Sequence, residues 1–112
     1  MDVQLFSIPQ LEAQITKAYA PVNLAQVDEC AIRLVKFQGE FERWHAHENE
    51  DESFIVLRGE ILFQTEVGNF LLKAGEGLVI PKGLQHCPKA SEEGEMPLAL
   101  IIERCETKRL GD

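Results

Sequence analysis

The segment "SFIVLRGEILFQTEVGNFLLKAGEGLVIPKG", Ser53 to Gly83, is cut by Gly59, Gly68, Gly75, Gly77 and Gly83 into short β-rich runs. Strands of about four to seven residues, with a turn signal roughly every 8–12 residues, are the signature of a β-sandwich or barrel. The two-residue period begins near Val27. In "CAIRLVKF" the apolar Ile32 and Leu34 alternate with Ala31, Arg33 and Val35. "PLALIIE", Pro97 to Glu103, reads as a last strand, and "SEEGE", Ser91 to Glu95, as a solvated loop before it. The pattern predicts an all-β barrel over residues 27–104.

Residues 1–26 carry a different signal. Ser7 with Gln10 three positions on, and Pro9 near the start, resemble a helix entry with a capping box. Leu11, Ile15 and Ala18 would form the apolar stripe of this helix, and Pro21 to Asn23 would break it. The tail, residues 105–112, has mixed charge and no period, and is expected to be poorly ordered at its end.

Charge and composition narrow the function. A chain of 112 residues is one domain, and its net charge of -8 argues against a phosphate backbone or an anionic membrane surface as partner. The longest apolar run, Pro97 to Ile102, is too short to span a bilayer. "MDVQLFSIPQ" has no basic segment followed by an apolar one, so no signal peptide is expected. Cys30, Cys87 and Cys105 are odd in number and lie at no metal-like spacing, which suits a reduced, cytoplasmic protein.

Two of the three histidines, His45 and His47, stand two residues apart. On a strand they would project from the same face, with the small Ala46 turned away. The third, His86, follows a turn-strand-turn unit in which Pro81 presets φ and Gly83 permits a positive φ. Three imidazoles and one carboxylate would suit Fe, Mn, Ni, Zn or Cu and leave coordination positions open. The acids on offer are Glu48, Glu50, Asp51 and Glu52. By itself, the His-x-His pair would read more simply as two exposed strand residues; His86 and a carboxylate change that balance.

These residues resemble the two motifs of the cupins. The first is a Gly, five residues, His-x-His, three or four residues, Glu, six residues and Gly, met here by Gly39, His45, His47, Glu52 and Gly59. The second is a Gly, five residues, Pro-x-Gly, two residues, His, three residues and Asn, met by Gly75, Pro81, Gly83 and His86, with Ala90 in place of the Asn. The spacing to Gly59 selects Glu52 over Asp51. The resemblance implies a double-stranded β-helix, or jelly-roll barrel, that holds one divalent transition metal ion through His45, His47, Glu52 and His86. It also implies a metalloenzyme of the dioxygenase, isomerase or lyase type acting on a small organic molecule, or alternatively a non-catalytic domain that binds or senses such a ligand. Thiol dioxygenases in this family typically replace the motif glutamate, so the presence of Glu52 points away from them.

With Glu52 facing the metal, alternation places Phe54 and Val56 on the same side and Ile55 and Leu57 outside. Phe54, Val56, Phe63, Leu98 and Leu100 are candidates to line an apolar cavity. Arg43 shares the parity of His45 and is the candidate to hold a substrate carboxylate at the cavity mouth; the plainer reading is a surface arginine. Cys87 should face away from the metal as a small core residue. The acids around Glu52 are expected to form a solvated loop. Trp44, of outward or undecided parity, and the strand edges of a small barrel suggest an interface. A homodimer is expected, through the N-terminal segment or an outer sheet face.

Overall fold

The computed structural model describes all 112 residues. A five-residue helix, α1 (Ile8–Glu12), precedes nine strands: β1 (Val22–Val27), β2 (Cys30–Lys36), β3 (Gly39–Glu40), β4 (Glu52–Arg58), β5 (Glu60–Thr65), β6 (Gly68–Lys73), β7 (Gly77–Ile80), β8 (His86–Ala90) and β9 (Leu98–Arg104). They form two antiparallel sheets, one ordered β1-β2-β9-β4-β7 and the other β3-β8-β5-β6. The all-β barrel read from the glycine-cut runs is the architecture found.

Side chains from both sheets meet in one core: Val35, Phe37, Phe54, Val56, Ile61, Phe63, Ile80, Ala99 and Ile101. Phe37 lies edge-on to Phe54 and to Phe63, with ring centroids 6.2 Å apart in each pair. Phe54 and Val56 point inward as alternation requires, and the flanking Ile55 and Leu57 are only partly buried.

A second, smaller cluster lies on the outer face of the larger sheet. Ile15, Leu34 and Leu98 are buried there, with Leu11, Leu57 and Leu100 packed against them. The N-terminal segment thus covers the sheet from outside. It buries Leu34 of β2 and Leu98 of β9 on the side opposite Val35 and Ala99, which register directly with each other. This corrects the cavity assignment of Leu98 and Leu100: both face the cover, and Ala99, Ile101 and Glu103 face the interior. The reason is that β9 is a central strand covered on both faces. Its apolar run is continuous, so parity could not be read from hydrophobicity.

Ser7 caps α1, its hydroxyl accepting the Gln10 N–H at 3.3 Å. The helix stops at Glu12, where the chain tightens into bonds from Gln14 to Leu11 and from Ile15 to Glu12. Ile15 still reaches the sheet from this turn. Strand pairing begins at Val22, ahead of the visible alternation, because β1 is an irregular edge strand whose register to β2 shifts between Asn23 and Ala25. Between β4 and β5 the chain reverses at Gly59 with φ of +81°, and a Cβ there would stand 3.0 Å from Pro97. Glycine is required on both counts.

The tail does not hang free. The Asp112 N–H donates to the Ala46 carbonyl at 3.1 Å, and the Asp112 carboxylate accepts the Glu48 N–H at 2.7 Å. Gly111, at φ of +83°, lies so close that a Cβ would meet the Ala46 carbonyl at 2.6 Å.

Candidate metal centre

His45, His47 and His86 converge at one end of the barrel, and one potential ligand atom from each lies within 4.8 Å of the others. Backbone bonds fix two of them to each other. His45 and His86 form an isolated antiparallel bridge, with His45 N–H to His86 O at 3.0 Å and His86 N–H to His45 O at 2.9 Å. His47 is anchored one step on, its carbonyl accepting the Gly83 N–H at 2.9 Å. The positive φ of Gly83 is therefore used to bring the turn before His86 back onto the His-x-His segment. Ala46, facing away between the two histidines, is covered by Gly111.

Burial is nearly complete: His45 is 6% exposed, His47 3% and His86 1%. Acceptors set the tautomers of two rings. His45 Nδ1 lies 3.3 Å from the Arg43 carbonyl, and His86 Nδ1 lies 2.9 Å from the Leu84 carbonyl. A carbonyl can only accept, so each Nδ1 carries the proton and each Nε2 keeps a lone pair. Both nitrogens of His47 and Nε2 of His86 are buried without a hydrogen-bond partner.

Glu52, the first residue of β4, places Oε1 3.3 Å from His86 Nε2 and 3.5 Å from His47 Nε2. These separations suit a shared cation, because two ligands at ~2.1 Å from an ion and at right angles stand ~3 Å apart. Buried imidazoles with orphaned lone pairs, next to a carboxylate, are a donor set that fits a divalent transition metal. Asp51 lies outside the site: it is exposed, and its Oδ1 accepts the Lys82 N–H at 3.0 Å. Glu48 is exposed, but Glu50 is 7% exposed and so departs from the expected solvated loop.

Electrostatics act on the set in both directions. Burial, with a contribution from the neighbouring His86 ring, depresses the His45 pKa to about 4, so the ring is neutral at physiological pH. Burial pushes the Glu52 carboxyl up, but the His47 and His86 rings beside it and the neighbouring Glu103 outweigh that and hold the group below the usual carboxylate range. At His47 burial acts to lower the pKa, and the adjacent Glu52 carboxylate more than reverses that.

Sequence reasoning missed Glu103 and Arg33. Glu103 is directly opposite Glu52 across the β4–β9 pair and is 6% exposed. Burial and the neighbouring Glu52 carboxylate raise its pKa to about 9. Arg33 braces it from β2 with a 2.6 Å ion pair, and donates its other nitrogens to Asn23 and the Cys105 carbonyl at 2.8 Å each. Glu103 carried a readable signal, since the apolar run of its strand turns polar there; Arg33 did not, because its strand is covered on both faces.

These groups open onto a cavity of about 230 Å³, walled by Tyr19, Phe37, Phe41, Phe54 and Ile101 and reached also by Thr107 and Arg109. Arg43, the arginine expected at the mouth, is exposed and does not line the cavity. Its contribution is the backbone carbonyl that orients His45. Cys87 is buried on β8, away from the histidine cluster, with its thiol 3.5 Å from the Phe41 carbonyl.

Comparison with known proteins agrees with this architecture. The family profile for the cupin domain matches residues 34–102. Uncharacterized protein YdbB of Bacillus subtilis (strain 168) is 38% identical over 74 residues, and the match spans 65% of this chain and 65% of that protein. Among solved structures, a cupin-2 domain containing protein from Shewanella frigidimarina NCIMB 400 is 34% identical, with a TM-score of 0.82 over 90% of this chain and 95% of its own. Hydroquinone 1,2-dioxygenase PnpCD, solved in complex with Fe3+, superposes with a TM-score of 0.80 over 93% of this chain and 33% of that one; at 13% identity the likeness is one of fold. A profile match across most of the barrel and a 34%-identical solved relative aligned over nine tenths of the chain lead to one assignment: this chain belongs to the cupin family.

Proposed function

We propose that the protein is a metal-dependent cupin enzyme acting on a small organic molecule, with one divalent transition ion held by His45, His47, His86 and Glu52. One observation carries the reading: buried imidazoles, their free nitrogens aimed at a single point beside a carboxylate, stand at the end of an apolar cavity. A bound ion with an open position would supply a Lewis acid or hold a co-reactant next to the substrate. The chain's own part is to orient and to exclude water. The Arg43 and Leu84 carbonyls fix two rings, Arg33 and Glu103 brace Glu52, and the aromatic walls shield the site. At about 230 Å³ the cavity is below the range of drug-sized sites, so the substrate is small.

The second reading is a domain that binds or senses a small ligand without turnover. Its support is that Arg33 and Tyr19, both at the cavity, are already tied to protein partners, so few free groups remain to move a proton. No helix is long and apolar enough to cross a membrane, and three unpaired cysteines suit a reducing compartment such as the cytoplasm.

Elemental analysis of the purified protein tests the site, and oxygen uptake with product analysis over a panel of catechols, hydroxy acids and keto acids tests the activity. Roughly one transition metal per chain together with turnover supports the enzyme. A loaded protein that binds members of the panel and converts none supports the second reading. Absence of metal, with no thermal shift on adding Mn, Fe, Ni, Cu or Zn, would overturn the metal site and the enzyme reading with it.

A further inference from the structure

Two polar side chains at the cavity come from the C-terminal tail, and neither is used in bracing the histidine cluster. Thr107 lines the cavity, and its Oγ1 is buried with no hydrogen-bond partner. A buried hydroxyl without a partner is costly, and a ligand atom would supply the missing bond. Arg109 also lines the cavity. Its guanidinium lies 5.5 Å from the centre of the Phe41 ring, and that ring lies 4.9 Å from the His45 ring. Only one of its nitrogens is engaged, in a 2.7 Å pair with Glu42 whose side chains are 43% and 56% exposed. An ion pair this exposed is weak, and a better-placed anion can displace it.

Arg33, the other arginine at the cavity, has all three nitrogens committed to Asn23, Glu103 and Cys105. Arg109 is therefore the cationic side chain at the cavity with donors to spare. Charge also favours an anion. With Glu103 paired to Arg33, a divalent ion next to Glu52 would leave the buried end net positive. Phe41 separates the two positive ends by about one ring, and Tyr19, Phe37, Phe54 and Ile101 supply apolar wall around it.

We infer that Arg109 and Thr107 are specificity-determining residues that select a small monocarboxylate with a compact apolar body. The carboxylate accepts from the Arg109 guanidinium and the Thr107 hydroxyl, and the body lies against Phe41 towards the metal end. Arg suits a carboxylate through its planar fork of donors. The tail is held in register for this by Gly111 and Asp112, which pack on the Ala46 backbone between two of the histidines. This inference rests on the functional reading above for the identity of the site.

The test uses monocarboxylates from acetate to phenylpropionate, each paired with its primary amide. Affinity is measured by calorimetry on the full chain, and metal content is determined in every sample. At least one acid should bind tighter than its amide. Arg109→Ala should weaken that acid about tenfold or more, and Thr107→Val about threefold to tenfold, with metal content unchanged. Glu42→Gln should strengthen the acid about twofold to fivefold by releasing Arg109. All three side chains are outside the core, so the variants should fold.

If no acid is preferred over its amide, or the preference survives Arg109→Ala, the inference is overturned. A wild-type chain that loads no metal overturns the functional reading instead. On that protein the same Arg109 dependence would still support carboxylate selection, and its absence would still refute it.

Discussion

The sharpest prediction separates two neighbouring acids. Glu52→Gln and Asp51→Asn each remove one negative charge and keep the side-chain shape. Glu52 is 6% exposed, with Oε1 3.3 and 3.5 Å from two imidazole nitrogens. An amide can still offer an oxygen there, but without the charge that attracts a divalent ion. Groups that only brace metal ligands cost about 10–100-fold in affinity when changed. Loss of the carboxylate itself should cost at least that, or about 1.4–2.7 kcal/mol. Asp51 is exposed and its Oδ1 accepts the Lys82 N–H. Asparagine keeps that acceptor, so affinity should stay within about twofold of wild type, as expected for a surface change. Competition with a chelator of known affinity, using Mn or Zn at pH 7.5, reads both values. Equal losses in the two variants, or a loss in Asp51→Asn alone, would refute the placement of Glu52 at the ion.

The metal-free protein should lose stability at both ends of the pH scale. His45 has a folded pKa of about 4, so its contribution is complete above the ordinary histidine value near ~6.5 and disappears as pH falls towards 4. Glu52, held low, adds loss in acid, whereas Glu103, raised to about 9, contributes below the usual carboxylate range and loses that contribution as pH rises through 9. Thermal midpoints against pH should show both limbs, and Glu103→Gln should flatten the alkaline one; an unchanged alkaline limb would refute its assignment. Phe63→Ala, at a fully buried position, should cost about 3–5 kcal/mol in denaturant unfolding. Val79→Ala, at a side chain 61% exposed, should cost within ~0.5 kcal/mol, and similar losses in the two would mean that the face of β7 is misplaced. Exposed Val3, Leu5 and Leu71 support a homodimer through the N-terminal arm or the outer face of β6, so light scattering at tens of micromolar should give twice the chain mass; a monomer there would count against it.

Which parts of the fold could be read from the chain depended on how many faces each strand buries. β4 has a polar marker, Glu52, at a known spacing from two histidines, and from it the inward positions of Phe54 and Val56 followed. β9 offers "LALII" between two covered faces, so hydrophobicity gives no parity; only Glu103, where the run turns polar, marks the inner side. The same two-sidedness hid Arg33, inward on a strand whose Leu34 is just as buried under the N-terminal cover. Three histidines and an acid could be picked out because their separations follow a motif. The arginine at the mouth could not. Arg43 and Arg109 differ in which segment folds back over the cavity, and that depends on long-range contacts of Gly111 and Asp112 which leave no periodic trace. The burial of Glu50 likewise arises from packing of the loop and has no signature in an acidic run.

The two-sided character of β9 bears on how such a chain can change over generations. Ala99, Ile101 and Glu103 face the interior, the last two at the chamber itself, and Leu98 and Leu100 hold the N-terminal cover. Alternate letters of one strand thus answer to different demands. Substitutions at 101 and 103 can reshape the chamber while the cover keeps its grip, and those at 98 and 100 can tighten or loosen the cover with the chamber walls left in place. Both sets are buried wholly or in part, so a library at either should lower the melting temperature, but only one randomised at the first set should also alter ligand preference. The strand keeps these demands apart through the two-residue alternation of its backbone. A lineage can therefore explore new ligands there without loosening the N-terminal cover.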